Sequence, residues 1–212
     1  MTKETMTVHE ALAELKTLDK RISKKIRESA YVNSCKEGED AKVGIYSKEK
    51  FKELTRQNYQ SIRDLINRRN ALKRAVVLSN AKTEVEVGGV TYTVAEAIDM
   101  KNHGMGHLRE LLAEITGEYN SVATECRMAN DRLVDRATQS LEQLSGGENK
   151  FDAAEAQKFI DEFTKAQRLE VISGIDCPKV MAELEDKITT FNTKIDAALS
   201  TSNAITSIEF EY

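Results

Sequence analysis

Residues 79–97 read SNAKTEVEVGGVTYTVAEA, and the changes of period inside this stretch decide the fold. Ser79-Asn80 follows a helical apolar stripe, and Asn accepts the left-handed conformation that closes many helices. From Thr83 the period becomes two: Val85 and Val87 share one face, and Glu84 and Glu86 the other. That alternation predicts a strand with one buried face. Gly88-Gly89 supplies the positive φ of a two-residue hairpin turn, and Val90-Thr91-Tyr92 returns antiparallel. Thr93 and Glu96 then make a capping box that starts a new helix.

The same phrases occur elsewhere. TVHEA at 7–11 repeats TVAEA at 93–97, with Thr7 and Glu10 as its capping box. SNAITSIEF at 202–210 repeats SNAKTEVEV at 79–87, with Asn203 closing a helix and Ile208 and Phe210 facing inward. Similarity at fixed positions is the mark of an internal repeat. Each unit reads capping box, helix, connection, helix, S-N-A-x-T, strand. The residues before Thr7 match those before Thr93, which predicts a further strand at about 3–6.

The helices follow from apolar spacing. Val8, Ala11, Leu15, Leu18, Ile22 and Ile26 predict a helix over 7–30. Phe51, Leu54, Ile62, Leu65, Leu72 and Val76 predict its partner over 47–79, capped by Ser47. YVNSCKEGEDAKVG (31–44) reads as a loop. From Met105 to Leu144 apolar residues recur at steps of three and four, the pattern of a coiled coil. Unbroken over 94–144 that helix is about 75 Å long, with Gly117 its expected interruption. SGGENK (145–150) is a turn, 151–169 a helix, and 170–176 short and irregular. Pro178 suits the first turn of a last helix.

The expected architecture is mainly α: duplicated antiparallel coiled-coil hairpins, related by a pseudo-twofold axis and joined by one small antiparallel sheet. Residues 1–87 form the first hairpin plus strand. Residues 88–212 form the second, with a coiled-coil arm inserted at about 117–167, the whole making one intertwined unit.

Composition agrees. The 212 residues include one Pro, no Trp and 31% charged residues, which suits helices better than turn-rich β folds. No apolar stretch approaches the ~20 residues of a spanning helix, and the opening residues lack a signal-peptide core, so the expected location is the cytoplasm. Cys35, Cys126 and Cys177 are an odd number without a close pair and read as reduced thiols. Residues 1–82 carry 19 basic and 11 acidic side chains, and residues 83–212 carry 12 and 24. Such asymmetry marks either a nucleic-acid face or two halves that complement each other. The basic half lacks stacking aromatics beside its arginines, so nucleic acid is not the expected partner.

The segments HEALAELKTLDKRI, INRRNALKRAVVLSNAKTEVEVGGVTYTVAEAIDMK and DCPKVMAELEDKITTFNTKIDAAL, with SNAITSIEFEY, resemble a family of small helical proteins of bacteria and tailed phages that carry the label septicolysin. The resemblance covers most of 8–115 and 170–212, and 117–167 looks like an insertion. It implies helical hairpins joined by a β element, self-association and a phage origin, in the host cytoplasm or the virion. It implies no activity and no catalytic residue.

Chemistry-bearing constellations are few. His103 and His107 stand at i and i+4 and are candidate metal ligands, but HGMGH lacks the glutamate of a His-Glu-x-x-His zinc site. Cys177 precedes Pro178 with no His nearby. The Gly pairs lack phosphate-loop spacing. Arg68, Arg69, Lys73 and Arg74 are the candidate anion-binding residues, against the plainer reading of a solvated or docking flank. The expectation is a non-enzymatic homo-oligomeric structural or interaction protein without cofactor, meeting other phage or host proteins. Its first alternative captures a host protein or a small phosphorylated ligand, for example in anti-defence. The other, a membrane-active toxin, conflicts with the absence of any helix apolar all round.

Overall fold

A computed structural model describes residues 2–37, 42–146 and 151–212. The chain is mainly helical. In order it runs β1 (Lys3–Thr7), α1 (Val8–Glu28), β2 (Lys42–Val43), β3 (Tyr46–Ser47), α2 (Lys48–Asn80), β4 (Glu84–Val87), β5 (Val90–Thr93), α3 (Val94–Asp99), a π-helical turn (Met100–Gly104), α4 (Met105–Ser145), α5 (Ala153–Lys165), α6 (Cys177–Ile205) and β6 (Ser207–Glu211).

Both predicted capping boxes are formed. Thr7 Oγ1 accepts from Glu10 N at 3.2 Å while Glu10 Oε2 accepts from Thr7 N at 2.8 Å. At Thr93 and Glu96 the same bonds measure 3.2 and 2.7 Å. Each box satisfies amide donors that a helix start leaves without partners. The bonds donated by the backbone N–H and then the hydroxyl of Thr7 and Thr93 hold the carboxyls of Glu10 and Glu96 below the ordinary carboxylate value.

The strand at the N-terminal end exists, but the expected single sheet does not. β4 pairs with β5 and β1 with β6, as separate two-stranded antiparallel sheets. Gly88 (φ 65°) and Gly89 (φ 83°) turn β4 straight back onto β5, so β6 takes β1 instead. The two pairs share a register. Val85 faces Tyr92 as Ile208 faces Met6, and Glu84 faces Thr93 as Ser207 faces Thr7. Their entry bonds also correspond: Val94 N to Thr83 O at 2.8 Å, and Val8 N to Thr206 O at 2.9 Å. β2, inside the predicted loop, pairs with β3 just beyond it in a second small hairpin; residues 38–41 of that loop lie outside the described residues.

Three local expectations are corrected. Asn80 is the last residue of α2 and Asn203 lies inside α6, and no non-glycine among the described residues has positive φ. Both stay right-handed. Ala81 N bonds back to Val77 O at 3.1 Å, and Thr206 N to Ser202 O at 2.9 Å, so ordinary helical and turn bonds close these ends. Gly117 does not interrupt α4; an exposed glycine where an added Cβ would meet open space costs only about 1 kcal/mol against Ala, too little to break a long helix. The break falls at Met100–Gly104, where the helix widens to π geometry. At the other end Gly146 (φ 61°) caps α4; residues 147–150 of the predicted turn lie outside the described residues.

Contacts divide the chain into two compact units. One compact unit comprises Met1–Asn102 and Thr190–Tyr212, the other His103–Thr189. β6 pairs with β1, and α3 packs on the β4–β5 hairpin, and both belong to the first unit. There, Val8, Ala11, Leu15 and Leu18 of α1 pack with Leu72 and Val76 of α2 and Ile208 and Phe210 of β6. Each buried valine, leucine, isoleucine or phenylalanine stabilises by about 1.5–3 kcal/mol. Val85, Val87, Val94, Ala97, Phe191 and Ile195 are also buried in this unit, with Tyr92 edge-on to Phe191 at 6.0 Å.

Candidate functional site

Two places concentrate unusual side-chain chemistry, one in each unit. The first is built around Arg68, on α2, whose helical turn carries it past β1 and α1. Its Nη1 and Nη2 donate to the two carboxylate oxygens of Glu4 at 2.7 and 2.8 Å. Its Nε donates to Glu14 Oε1 at 2.9 Å, and Nη2 lies 2.7 Å from the same oxygen. The Tyr212 hydroxyl donates to Glu4 Oε1 at 2.8 Å and also accepts from Arg68 Nη1. The guanidinium carbon stands 4.7 Å from the Tyr212 ring centre.

These contacts set the protonation states. The hydrogen bond from Tyr212 and then those from Arg68 hold the Glu4 carboxyl below its ordinary value. The same bond to Glu4 raises the Tyr212 phenol. Burial works against the charge on Arg68, but the bonds to Glu14 and Glu4 outweigh it and raise the guanidinium. At neutral pH the cluster is one cation between two carboxylates, with a neutral phenol. That arrangement fastens β1, α1, α2 and the residue after β6 together.

Arg68 is therefore committed to carboxylates and is not open to an exogenous anion, contrary to the sequence expectation. Arg69 is likewise held by Asp19, Nε to Oδ1 at 3.0 Å. All three acids, Glu4, Glu14 and Asp19, belong to the basic half of the chain, so these arginines are neutralised locally. Lys73 and Arg74 are exposed; Arg74 borders a groove of about 350 Å³ between α2 and β6, facing Glu209 and Glu211. The four cations do not converge on one site.

The second place lies in the other unit, where residues 166–176 run back along α4. Asn130 of α4 reads this segment like a strand: its Nδ2 donates to Leu169 O and its Oδ1 accepts from Leu169 N, both at 2.8 Å. Grooves open on either side of this tie. One, of about 720 Å³, is lined by Ala129, Arg132, Leu133, Asp135, Arg136, Gln167 and Leu169. The other, of about 170 Å³, is bordered by Tyr119, Val122, Ile172 and Cys177. Sequence reading missed this place because 170–176 has no periodicity and its anchor is one Asn 39 residues away.

His103 and His107 are both exposed. His107 Nδ1 lies 3.9 Å from Glu110 Oε2. Among the described residues no three His, Cys, Asp or Glu side chains come together as a metal site. The three cysteines are free thiols, with Cys177 Sγ 3.3 Å from Ser173 Oγ. Among the described residues no helix is long and apolar enough to cross a membrane. Compared with protein-family models, with curated proteins and with solved structures, the chain gives no match.

Proposed function

We propose that this chain is a non-enzymatic helical structural or interaction protein that works as a homo-oligomer, phage-encoded and acting as a virion component or assembly factor. One observation carries the self-association: Leu169, Val171, Ile172 and Ile175, four apolar side chains within seven residues, stand exposed along α4, Ile172 at 84%. Leu111 and Val122 of α4 are exposed in the same unit. An exposed apolar run of this density marks an interaction surface, and helical arms with half-covered seams gain stability by covering them with a second copy.

The duplication belongs to the same reading. The two capping boxes, the two strand pairs in one register and the paired entry bonds support a repeated unit that meets its neighbour at a strand pair. In one junction the pair is a covalent hairpin; in the other it is β1 with β6. Hairpin arms on such a clasp suit a scaffold, and the resemblance to helical phage proteins points the same way.

Light scattering of the full chain at micromolar concentration tests the proposal. A mass at an integral multiple of 23.8 kDa is expected, falling toward the single-chain mass in Ile172→Asp. A wild-type chain that runs as a monomer refutes it.

A further inference from the structure

Arg132 and Arg136 stand one turn apart on α4, on the wall of the larger groove. Their unit holds 17 acidic and ten basic side chains, a net of −7. In a unit so rich in carboxylates a guanidinium has many candidate partners, yet among the described residues neither arginine makes an ion pair. Like charges at i, i+4 also weaken a helix. Local structure therefore gives no reason for the pair, and what they border is a groove within the usual size of small-molecule sites.

The remaining lining is mixed. Leu169 is exposed and Ala129 half-buried, and they offer an apolar wall, with Leu133 buried beneath them. Gln167 Nε2 is bonded to Phe163 O at 3.3 Å, which turns its Oε1 into an acceptor for an incoming donor. Asp135 adds a carboxylate to the rim, which repels a bare anion and suits a ligand that carries a hydroxyl or amine. The Asn130–Leu169 bonds hold the two walls together without a ligand.

We propose that this groove binds a small organic phosphate: a phosphate ester whose oxygens take the two guanidinium forks and whose apolar body lies on Leu169, with a hydroxyl or amine toward Asp135 and Gln167. Arg is suited to this because its planar fork meets two phosphate oxygens at once. The site shares Leu169 with the exposed Leu169–Ile175 run, while its two guanidinium groups lie on α4 outside that run.

Isothermal titration of the full chain with adenosine monophosphate, and with inorganic phosphate as the second arm, tests it. The ester binds and inorganic phosphate binds at least about tenfold more weakly, since it has no body to place on the apolar wall. Arg132→Ala and Arg136→Ala each weaken the ester by about tenfold or more, the loss of a charge-assisted bond. The corresponding lysine variants, which keep the charge without the fork, fall between. Lys158→Ala, off the groove, changes nothing. Circular-dichroism melts and light-scattering mass stay at wild-type values in all variants, which separates loss of the site from loss of fold or of assembly. Absence of heat with the ester, equal affinity for inorganic phosphate, or unchanged affinity in both alanine variants overturns the proposal.

Discussion

Replacing Phe210 with Ala tests the clasp at its centre. Phe210 is 5% exposed and packs in the cluster with Val8, Leu72, Val76 and Ile208. Its ring stacks on Tyr212 at 5.9 Å. Phe to Ala in a closed core costs about 3–5 kcal/mol. Phe210 also borders the open groove beside α2, so water enters the vacated space and the lower figure applies, about 3 kcal/mol. For a chain of this size about 2–4 °C is lost per kcal/mol, which predicts a fall in Tm of about 6–12 °C by circular dichroism. Val87→Ala, at the equivalent register position of β4, removes only two methyl groups. Its strand is also tied covalently to β5, so the fall is smaller. Hydrogen exchange of β1 and the start of α1 should rise in Phe210→Ala before that of β4 and β5. A Phe210→Ala chain that melts within about 1 °C of wild type refutes the reasoning, because then β6 does not hold α1 to α2. Deleting 205–212 carries the same expectation in stronger form.

Three further outcomes follow from local geometry. Gly88→Ala places a Cβ 2.8 Å from Thr190 Cγ2 at φ +65°, so it destabilises by more than the ~1–2 kcal/mol of left-handed strain alone, read by urea denaturation; Gly89→Ala, with open space around it, loses less. Glu10 and Glu96 have depressed folded pKa values, so their stabilisation is full above the ordinary carboxylate value of 4.5 and is lost as pH falls through the lower folded values. Glu10→Gln with Glu96→Gln should therefore flatten the acid limb of a stability–pH profile, and an unchanged limb counts against the capping boxes. Arg68→Met leaves Glu4 and Glu14 without their cation. It should lower the melting temperature at pH 7, read by circular dichroism; a variant that melts like wild type excludes the fastening role.

The sequence by itself determined the local structure, because each signal acts within one or two turns of chain. Thr7, Glu10, Thr93 and Glu96 specify their capping boxes through bonds three residues apart. The valines at 85 and 87 and the glycines at 88 and 89 specify a hairpin in the same way. Partner choice was decided only by tertiary structure. The period-two pattern of 207–211 reveals a strand with a buried face, but not that it pairs with β1 rather than with the central hairpin. Alternation constrains the faces of a strand and says nothing about which backbone lies at its edge. The basic run on α2 shows the same limit. From sequence, Arg68 and Arg69 are indistinguishable from open anion ligands, and only the fold brings Glu4, Glu14 and Asp19 to them from 50 to 64 residues away. Conversely, Arg132 and Arg136 look in the sequence like ordinary surface charge beside Asp131 and Asp135. The tertiary structure leaves them unpaired on a groove, because the segment that forms its other wall returns along α4 through a single asparagine.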